Sequence, residues 1–405
     1  MRLLLLNQFY APDISPTAQL TASLARHRAA RGDTVTVVAS AGNYAEQGQV
    51  STIADPGVSV HRVWTPRFGK ATVLKRCADY GAFYLGALAL LARLPEQDVI
   101  VSLTTPPYIA WAAILHKRLH PRARVVLWNM DCYPEAAERL GKLKPGGAVA
   151  SAMRTLNRSL FAQLDHLISL DRAMDSLLMS QYAPAMPPLP SSIIPNWEPL
   201  AFYAPDPKLR AWSGLKEHGL EDRFIVLYLG NMGEGHEFET VLAAAEALRE
   251  EPVTFLFIGG GGRQREVKAE AERRGLTNVV VTQYVPQAEL RSAMASAGCT
   301  LISLRDDCLG VMSPSKLHAN LAMGLPVLFV GPKECNVDEA IDRFGCGVSL
   351  RIGDVASVVA FVRSGLSNTP DFQAYGRRAR AAFESTYCDT RALPRFDAVL
   401  ESLVC

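Results

Sequence analysis

The sequence lacks two features: a cysteine pattern for a metal site or disulfide framework, and an apolar run that could cross a membrane. Its eight cysteines are scattered, no pair has C-x-x-C spacing, and no histidine cluster accompanies them. This pattern argues against a zinc site and is typical of thiols in a reducing cytoplasm. The apolar stretches at 80–91 and 99–115 do not reach the roughly 20 residues of a spanning helix. We therefore expect a cytoplasmic protein without a resident metal ion.

The sequence also lacks a strong net charge, because 42 basic and 40 acidic residues leave a formal charge of +2. The balance is uneven, since residues 1–200 hold 20 Lys and Arg against 14 Asp and Glu, a net of +6. A mildly basic N-terminal half suits an anionic partner or a membrane surface, and ordinary surface variation explains it equally well. No nucleic-acid partner is expected.

The sequence does contain a regular alternation of short apolar runs and longer amphipathic segments. Runs such as Leu3–Leu6, Thr34–Ala39 and Arg124–Trp128 predict buried strands, and the segments between the runs predict helices. The pattern stops at the turn-rich stretch 195–207 and begins again at Phe224–Leu229. The predicted fold class is therefore α/β, with two Rossmann-like doubly wound domains facing a cleft.

The interruption at the turn-rich stretch defines the expected domains. At 405 residues the chain is long for one core and fits two domains. We expect the N-terminal domain at 1–197 and the C-terminal domain at 208–388. The last segment, 389–405, is predicted to be a helix that packs back on the N-terminal domain.

Two loops of the C-terminal half have the composition of a phosphate site. Each follows a predicted strand: a glycine-containing loop begins at Gly230, and Lys316 begins the helix after the second strand. Glycines allow backbone N–H groups to approach a phosphate, and a lysine neutralises its charge, so a diphosphate can be held without a metal ion. A nucleotide-sugar is the natural ligand, and it is a substrate rather than a cofactor. A tight turn, a solvated lysine and a surface histidine at His236 are the structural alternatives.

The candidate donor-binding residues are Gly230, Asn231, Gly233, His236, Gly259, Gly260, Asp307, Ser313, Pro314, Ser315 and Leu317, with Lys316 as the catalytic clamp on the diphosphate.

The N-terminal half has a carboxylate where a strand ends. Asp131 follows the run Arg124–Trp128, and a carboxylate there could orient an acceptor hydroxyl or accept its proton. An N-cap of the next helix is the alternative role. Thr104 and Thr105 end the neighbouring strand and could bind substrate hydroxyls, and Asp13 is a lesser acceptor-side candidate.

Seven segments, in this order and spacing, carry a resemblance over essentially the whole chain. They are Asn7–Pro12, Trp128–Glu135, Ile194–Trp197, Gly230–Thr240, Phe257–Gly261, Pro314–Leu317 and Gly324–Val327. The sequence resembles family 4 glycosyltransferases of the GT-B fold, in particular those that build colanic acid, O-antigen and other bacterial surface polysaccharides. The resemblance implies a sugar transfer from a nucleotide-sugar to a lipid-linked acceptor, with retention of anomeric configuration and no essential metal. It also implies a catalytic role for Asp131, because the matching loop of relatives holds a catalytic His or Asp.

The sequence departs from the family pattern at one position. Many relatives carry two glutamates eight positions apart, the second of which binds the ribose hydroxyls, and the matching position here is Ala319. Asp306 and Asp307 lie nearby and could replace the missing carboxylate. The departure leaves open a relative that binds the donor without turnover. A nucleotide-sugar epimerase of similar two-domain build is a second alternative to the transferase.

A membrane surface is a further expected partner. Four cations, Arg67, Lys70, Lys75 and Arg76, precede an apolar segment that contains Tyr80, Phe83, Tyr84 and Leu85. Cations beside such a helix suit peripheral binding to anionic lipid, and a buried core helix fits the pattern equally well. With a lipid-linked acceptor, we expect the protein on the inner face of the cell membrane.

Overall fold

A computed structural model describes residues 1–13, 15–41, 55–66 and 73–404, without the side chains of 73–77. The chain divides into two compact units. The N-terminal unit consists of Met1–Leu170, Met174–Pro195 and Leu393–Cys405, and the C-terminal unit consists of Asp171–Ala173 and Asn196–Ala392.

The N-terminal unit alternates strands with helices. Its elements before the second unit are β1 (Arg2–Leu6), α1 (Pro16–Ala30), β2 (Thr34–Ser40), β3 (Val58–Val63), α2 (Val73–Leu91), β4 (Val99–Ser102), α3 (Ala110–Leu119), β5 (Arg124–Trp128), α4 (Glu135–Arg139), α5 (Ala148–Phe161), β6 (His166–Ser169), α6 (Arg172–Tyr182) and β7 (Ser191–Ile193).

The described strands of this unit form one parallel sheet in the order β3-β2-β1-β4-β5-β6-β7. The central strands are apolar on both faces, and Leu3 to Leu6 of β1 have no exposed surface. Such continuous apolar runs are expected where helices cover both faces of a parallel sheet. Right-handed crossovers place α1 on one face and α2, α3, α5 and α6 on the other.

The C-terminal unit repeats this plan. Its elements are α7 (Gly214–Glu217), β8 (Phe224–Leu229), α8 (Glu239–Ala247), β9 (Val253–Ile258), α9 (Gln264–Arg273), β10 (Val279–Thr282), α10 (Leu290–Ala295), β11 (Cys299–Ser303), α11 (Lys316–Ala322), β12 (Val327–Val330), α12 (Asn336–Phe344), β13 (Gly347–Leu350), α13 (Val355–Leu366) and α14 (Pro370–Ala382). A last helix, α15 (Asp389–Ser402), follows.

The second sheet is also parallel, in the order β10-β9-β8-β11-β12-β13. Chain order runs outward from β8 to β9 in one direction and continues from β11 in the other, so the switch point lies between β8 and β11. Two α/β units with doubly wound parallel sheets confirm the predicted fold class.

Helix α15 completes the N-terminal unit with charged contacts to α1. Arg28 is buried, and its guanidinium donates to Asp33 at 2.5 Å and to Asp397 of α15 at 2.6 Å. The other Asp397 oxygen lies 2.8 Å from His27 Nε2. On the same side of the sheet, the Phe396 ring packs edge-on against Trp128, with centroids 4.6 Å apart. The end of the chain therefore belongs to the core of the first unit.

The segment predicted to touch a membrane is only partly described. Arg67 and Lys70, and the side chains of Lys75 and Arg76, lie outside the described residues. In α2, Phe83 is fully buried, whereas Leu85 keeps 71% of its surface exposed. No helix in the part of the chain that the structure describes is long and apolar enough to span a membrane. The described cysteine thiols are buried and outside any disulfide.

Candidate functional site

The predicted phosphate residues meet at the switch point of the second sheet. Strands β8 and β11 are parallel neighbours, so the loops that follow them leave the same edge of the sheet. The loop after β8 begins at Gly230, and the loop after β11 leads to Lys316 at the start of α11. Open α/β sheets bind ligands in the crevice outside the carboxyl ends of strands at such a point.

Lys316 reaches across this edge to the β8 loop. Its ammonium donates to the Asn231 carbonyl at 3.2 Å, lies 3.2 Å from His236 Nε2, and stands 4.9 Å from the centre of the Tyr228 ring. The side chain is half-buried, and the desolvation that its surroundings impose lowers the pKa of Lys316 to about 7. A diphosphate near the ammonium would reverse this shift, because an adjacent negative charge favours the protonated amine.

His236 holds Lys316 without competing for its charge. The buried ring lies 2.6 Å from the Ser303 carbonyl through Nδ1, which must carry the proton to donate to an oxygen. Nε2 is then the acceptor that faces Lys316. Burial, followed by the charge of Lys316, lowers the pKa of His236 to about 3, so the ring is neutral at physiological pH. His236 therefore orients the lysine, and a direct contact with the donor stays a prediction.

Two glycines make this close arrangement possible. Gly230 has φ +121°, and a Cβ there would lie 3.1 Å from Lys316 Cε. A Cβ on Gly259 would lie 2.0 Å from the Gly230 carbonyl oxygen, which no side chain can tolerate. The loops after β8 and β9 therefore touch backbone to backbone, and only glycine fits at their contact.

The other predicted donor residues differ in their surroundings: some lie in the glycine loops, and others are buried or paired with protein groups. Gly233 and Gly260 lie in the same loops as Gly230 and Gly259, whereas Leu317 is fully buried in the core. Asp307 forms an ion pair with Arg305, whose guanidinium also donates to the Glu234 carbonyl at 3.1 Å. The Arg305–Asp307 pair therefore helps to fix the loop that follows β8. The donor-binding roles of Asp307 and of Ser313, Pro314, Ser315 and Leu317 stay predictions.

The helix that carries Ala319 has polar neighbours instead of a glutamate. Asn320 is buried and donates to the Lys316 carbonyl at 2.7 Å, while its Oδ1 has no hydrogen-bond partner among the described residues. His318 is buried beside it, with Nδ1 3.1 Å from the Ser315 carbonyl and Nε2 likewise without a described partner. No carboxylate replaces the missing glutamate on α11 itself.

A pocket in the N-terminal unit contains two of the predicted acceptor-side residues, Thr104 and Asp131. It is lined by Leu103, Thr104, Pro107, Tyr108, Ala110, Leu127, Asn129, Asp131, Tyr133, Asn157, Leu160, Phe161 and Leu178. The Thr104 hydroxyl oxygen accepts the backbone N–H groups of Met130 and Asp131, each at 3.1 Å. Thr104 thus fixes the loop that presents Asp131.

Asp131 stands at this pocket with its side chain accessible to solvent. The surrounding protein nevertheless excludes enough water to raise the pKa of its carboxyl above the ordinary value. The next helix, α4, begins at Glu135 after Pro134, so Asp131 is not its N-cap. A proton-accepting carboxylate profits from a raised pKa, because that brings it closer to neutral pH.

The two remaining acceptor-side candidates have structural contacts. The Thr105 carbonyl accepts the Gln8 N–H at 2.9 Å. Asp13 ends a loop held by Arg62, which donates to the Ala11 carbonyl. Burial lowers the pKa of the Arg62 guanidinium, and the nearby Asp13 charge opposes that shift. Acceptor binding by Thr105 and Asp13 stays a prediction.

Sequence reasoning missed two aromatic residues of these sites. Tyr228, at the end of β8, presents its ring to Lys316 and donates its hydroxyl to the Asn231 carbonyl at 2.8 Å. Tyr108 lines the N-terminal pocket with φ +68°, a backbone conformation that is uncommon outside glycine and that often marks functional sites. The position of Tyr228 near the end of a predicted strand could have indicated that it belongs to the site. Nothing in the sequence predicts the positive φ of Tyr108.

Among the described residues, no group of three or more His, Cys, Asp or Glu side chains is arranged to hold a metal ion. Of the two adjacent acids that could replace the missing glutamate, Asp306 and Asp307, the second forms an ion pair with Arg305.

Comparisons with known proteins agree with this geometry. Residues 17–197 match the "Glycosyl transferase 4-like domain", and residues 223–367 match "Glycosyl transferases group 1". The probable glycosyltransferase WbjE of Pseudomonas aeruginosa is 24% identical over 88% of both chains. The putative colanic acid biosynthesis glycosyl transferase WcaI of Escherichia coli K12 is 25% identical, over 90% of this chain and 92% of that protein.

A solved structure shows the same fold over the full length. The crystal structure of Anabaena HepE in complex with UDP and glucose has a TM-score of 0.72 and 15% identity, and covers 99% of this chain and 100% of its own. Two α/β units with parallel sheets and two matching domains in sequence define a glycosyltransferase of the GT-B fold. The chain belongs to this family, as the resemblance predicted. It is an enzyme, a glycosyltransferase.

Proposed function

We propose that this transferase moves a sugar from a nucleotide-sugar to a lipid-linked saccharide, with retention of configuration and without a metal ion. The observation that carries the proposal is the position of Lys316 over Gly230 and Asn231 at the switch point. A departing nucleoside diphosphate gathers negative charge, and a fixed cation beside open backbone N–H groups stabilises it in the transition state. The complexes of HepE with UDP and glucose and with UDP-glucose make a uridine nucleotide the first donor to test.

The acceptor half of the reaction is assigned to the pocket of the N-terminal unit. Asp131, held in place by Thr104, would accept the proton of the attacking hydroxyl or orient it. The name of WcaI, a putative colanic acid biosynthesis glycosyl transferase, supports a saccharide acceptor of a surface polysaccharide, and the family resemblance implies that this acceptor is carried on lipid. The transferase would therefore work at the inner face of the cell membrane as a peripheral protein.

A donor panel tests the first half of this proposal. Titration calorimetry with UDP-, GDP-, ADP- and dTDP-sugars should give one nucleotide with clear preference, and EDTA should not change its affinity. The anomeric configuration of the product, read from its proton coupling constants, tests retention. Turnover of the donor in the absence of any acceptor, with epimerised sugar as the product, would contradict the transferase assignment.

A further inference from the structure

The pocket beside Asp131 has a buried apolar part beneath its polar rim. Side chains of β5, α3, α5 and α6 meet there, in the layer between the sheet and its helices. We call this part the apolar floor; it consists of Leu103, Ala110, Leu127, Leu160, Phe161 and Leu178, each no more than 3% exposed. Asp131, by contrast, is exposed at the rim. A ligand at the rim can therefore extend one group into a hydrocarbon environment.

Three polar side chains that line the pocket are already bonded to protein groups. The Thr104 hydroxyl oxygen accepts two backbone N–H groups, and the Tyr108 hydroxyl donates to the Met153 carbonyl at 3.3 Å. Asn157 Nδ2 donates to the Tyr133 carbonyl at 2.6 Å. A hydroxyl group that entered the apolar floor would exchange hydrogen bonds to water for contact with hydrocarbon, which is unfavourable.

The size of the space above the apolar floor limits what can fill it. Its volume is about 30 Å³, which admits a group of the size of a water molecule but not a sugar ring. A buried water molecule needs several polar partners, which hydrocarbon walls do not provide. A methyl group has a similar size and is stabilised by leaving water. Size and polarity together therefore favour a methyl group.

We propose that the apolar floor receives a methyl group of the acceptor sugar, so that the enzyme selects deoxy or N-acetylated acceptors over fully hydroxylated ones. Both kinds of sugar carry a methyl group on a polar ring, and the ring would stay at the hydrated rim, where Asp131 meets the attacking hydroxyl. Ala110 and Leu178 are the specificity-determining residues, because their side chains set the size of the space. The inference rests on the proposed acceptor role of this pocket and names a feature of that acceptor.

Matched acceptor pairs test the selectivity. Glycosides with one common hydrophilic aglycone would be compared as L-fucose against L-galactose, L-rhamnose against L-mannose, and N-acetylglucosamine against glucose. In at least one pair, kcat/KM should favour the methyl-bearing sugar by about tenfold to a hundredfold, the usual contribution of one small group in an apolar pocket. The first two pairs report on a deoxy methyl group and the third on an acetyl methyl group. Equal kcat/KM within all three pairs would overturn the inference and leave the transferase assignment intact.

Two variants change the size of the space in opposite directions. Ala110→Val fills it and should reduce the preference to less than about twofold, with unchanged donor affinity. The control Ala152→Val, at an exposed position of α5, should keep the preference. Leu178→Ala enlarges the space and should shift the preference towards the N-acetylated sugar. A preference that persists in folded Ala110→Val would overturn the inference; if that variant does not fold, an unchanged ratio of N-acetylated to deoxy acceptor in Leu178→Ala would do so.

Saturation-transfer NMR without a donor separates this inference from the proposed function. The methyl protons of the preferred analogue should receive more saturation from the protein than its ring protons do, and Ala110→Val should remove the difference. If the analogues bind in this way but none is glycosylated, the acceptor role of the pocket fails while its preference for a methyl group stands. If no methyl-bearing analogue binds, the inference is overturned.

Discussion

Lys316 is held by three groups, none of which carries a negative charge. The Asn231 carbonyl, the neutral His236 ring and the Tyr228 ring orient the ammonium without neutralising it. A carboxylate in the same position would have satisfied the lysine and competed with a phosphate. The observed partners leave its charge available for a ligand, which is the arrangement that electrostatic stabilisation of a leaving group requires.

Removal of this ammonium gives the first prediction. Lys316→Ala should lower turnover by about tenfold to a hundredfold, because a charge-assisted hydrogen bond is worth roughly 1.5–3 kcal/mol. The measurement is steady-state transfer with the preferred donor. Lys333→Ala, at an exposed lysine of the same unit, is the control and should keep normal rates. Normal kinetics in Lys316→Ala would remove the diphosphate assignment.

The lowered pKa of Lys316 gives the second prediction. With a pKa of about 7 in the free protein, the amine is mostly neutral above pH 8, whereas the bound diphosphate requires it protonated. Nucleoside diphosphate binding should therefore take up a proton at about pH 8, and affinity should fall by up to about tenfold for each further pH unit. Calorimetry in buffers of different ionisation enthalpy counts the protons. Lys316→Met should show no uptake, and a wild-type protein without uptake would contradict the coupling.

Asp131 gives the third prediction. Asp131→Asn keeps the size and the backbone contacts to Thr104 but removes the charge. Turnover should fall by about a hundredfold or more, the usual contribution of a general base, with near-normal donor affinity. The control Asp222→Asn changes an exposed carboxylate of the C-terminal unit and should have no effect. If transfer survives in Asp131→Asn, the search for the acceptor-side residue moves to Asp13, Thr104 and Thr105.

Helix α15 and helix α1 illustrate a stabilising contact between distant parts of the chain. Burial alone would raise the pKa of Asp397, but hydrogen bonds from His27 and Arg28 outweigh it and hold the pKa below 3.8. Asp397 therefore contributes stability above its unfolded pKa, and that stability is lost as the pH falls through its lower folded value.

The fourth prediction follows from this contact. Asp397→Ala leaves the buried Arg28 with less compensation, so the free energy of unfolding of the N-terminal unit should fall by about 3–5 kcal/mol. Hydrogen exchange of β1 amides in increasing urea measures it. Glu401→Ala removes a partner whose side chain is 47% exposed and should cost less than about 1 kcal/mol. If the two variants lose the same free energy of unfolding, the burial of the carboxylate does not determine how much its removal destabilises the unit.

Element by element, the strands were easier to predict than the helices. Short runs of β-branched and leucine residues such as Phe224–Leu229 are buried on both faces, and this leaves a clear pattern. Helix α5 is amphipathic, but two of its four buried residues are Ala150 and Asn157, which are not strongly apolar, and the sequence analysis did not predict it. The proximity of Gly230 and Lys316 followed from the geometry of parallel strands. The role of His236 did not, because it depends on the Ser303 carbonyl, a contact set by tertiary structure.

The fifth prediction concerns the whole enzyme. Because Lys316 supplies a cation and Arg305 already pairs with Asp307, excess EDTA should leave the transfer rate nearly unchanged. The assay is transfer at saturating donor, with added Mg²⁺ or Mn²⁺ as the comparison. If EDTA abolishes activity and Mg²⁺ or Mn²⁺ restores it, a metal ion neutralises the diphosphate, and Asp306 and Asp307 become the candidates that hold it.

The position of α15 at the end of the chain affects how the protein folds while the ribosome synthesises it. The N-terminal unit includes Leu393–Cys405, which a ribosome adds only after the entire second unit. At about 5–20 residues per second, the interval after Pro195 lasts roughly 10–40 s. During that time Arg28 lacks Asp397, and Trp128 lacks the ring of Phe396. The N-terminal unit is therefore translated first but finishes folding last. Until α15 has been synthesised, the surface that it covers in this unit needs protection from misfolding and aggregation.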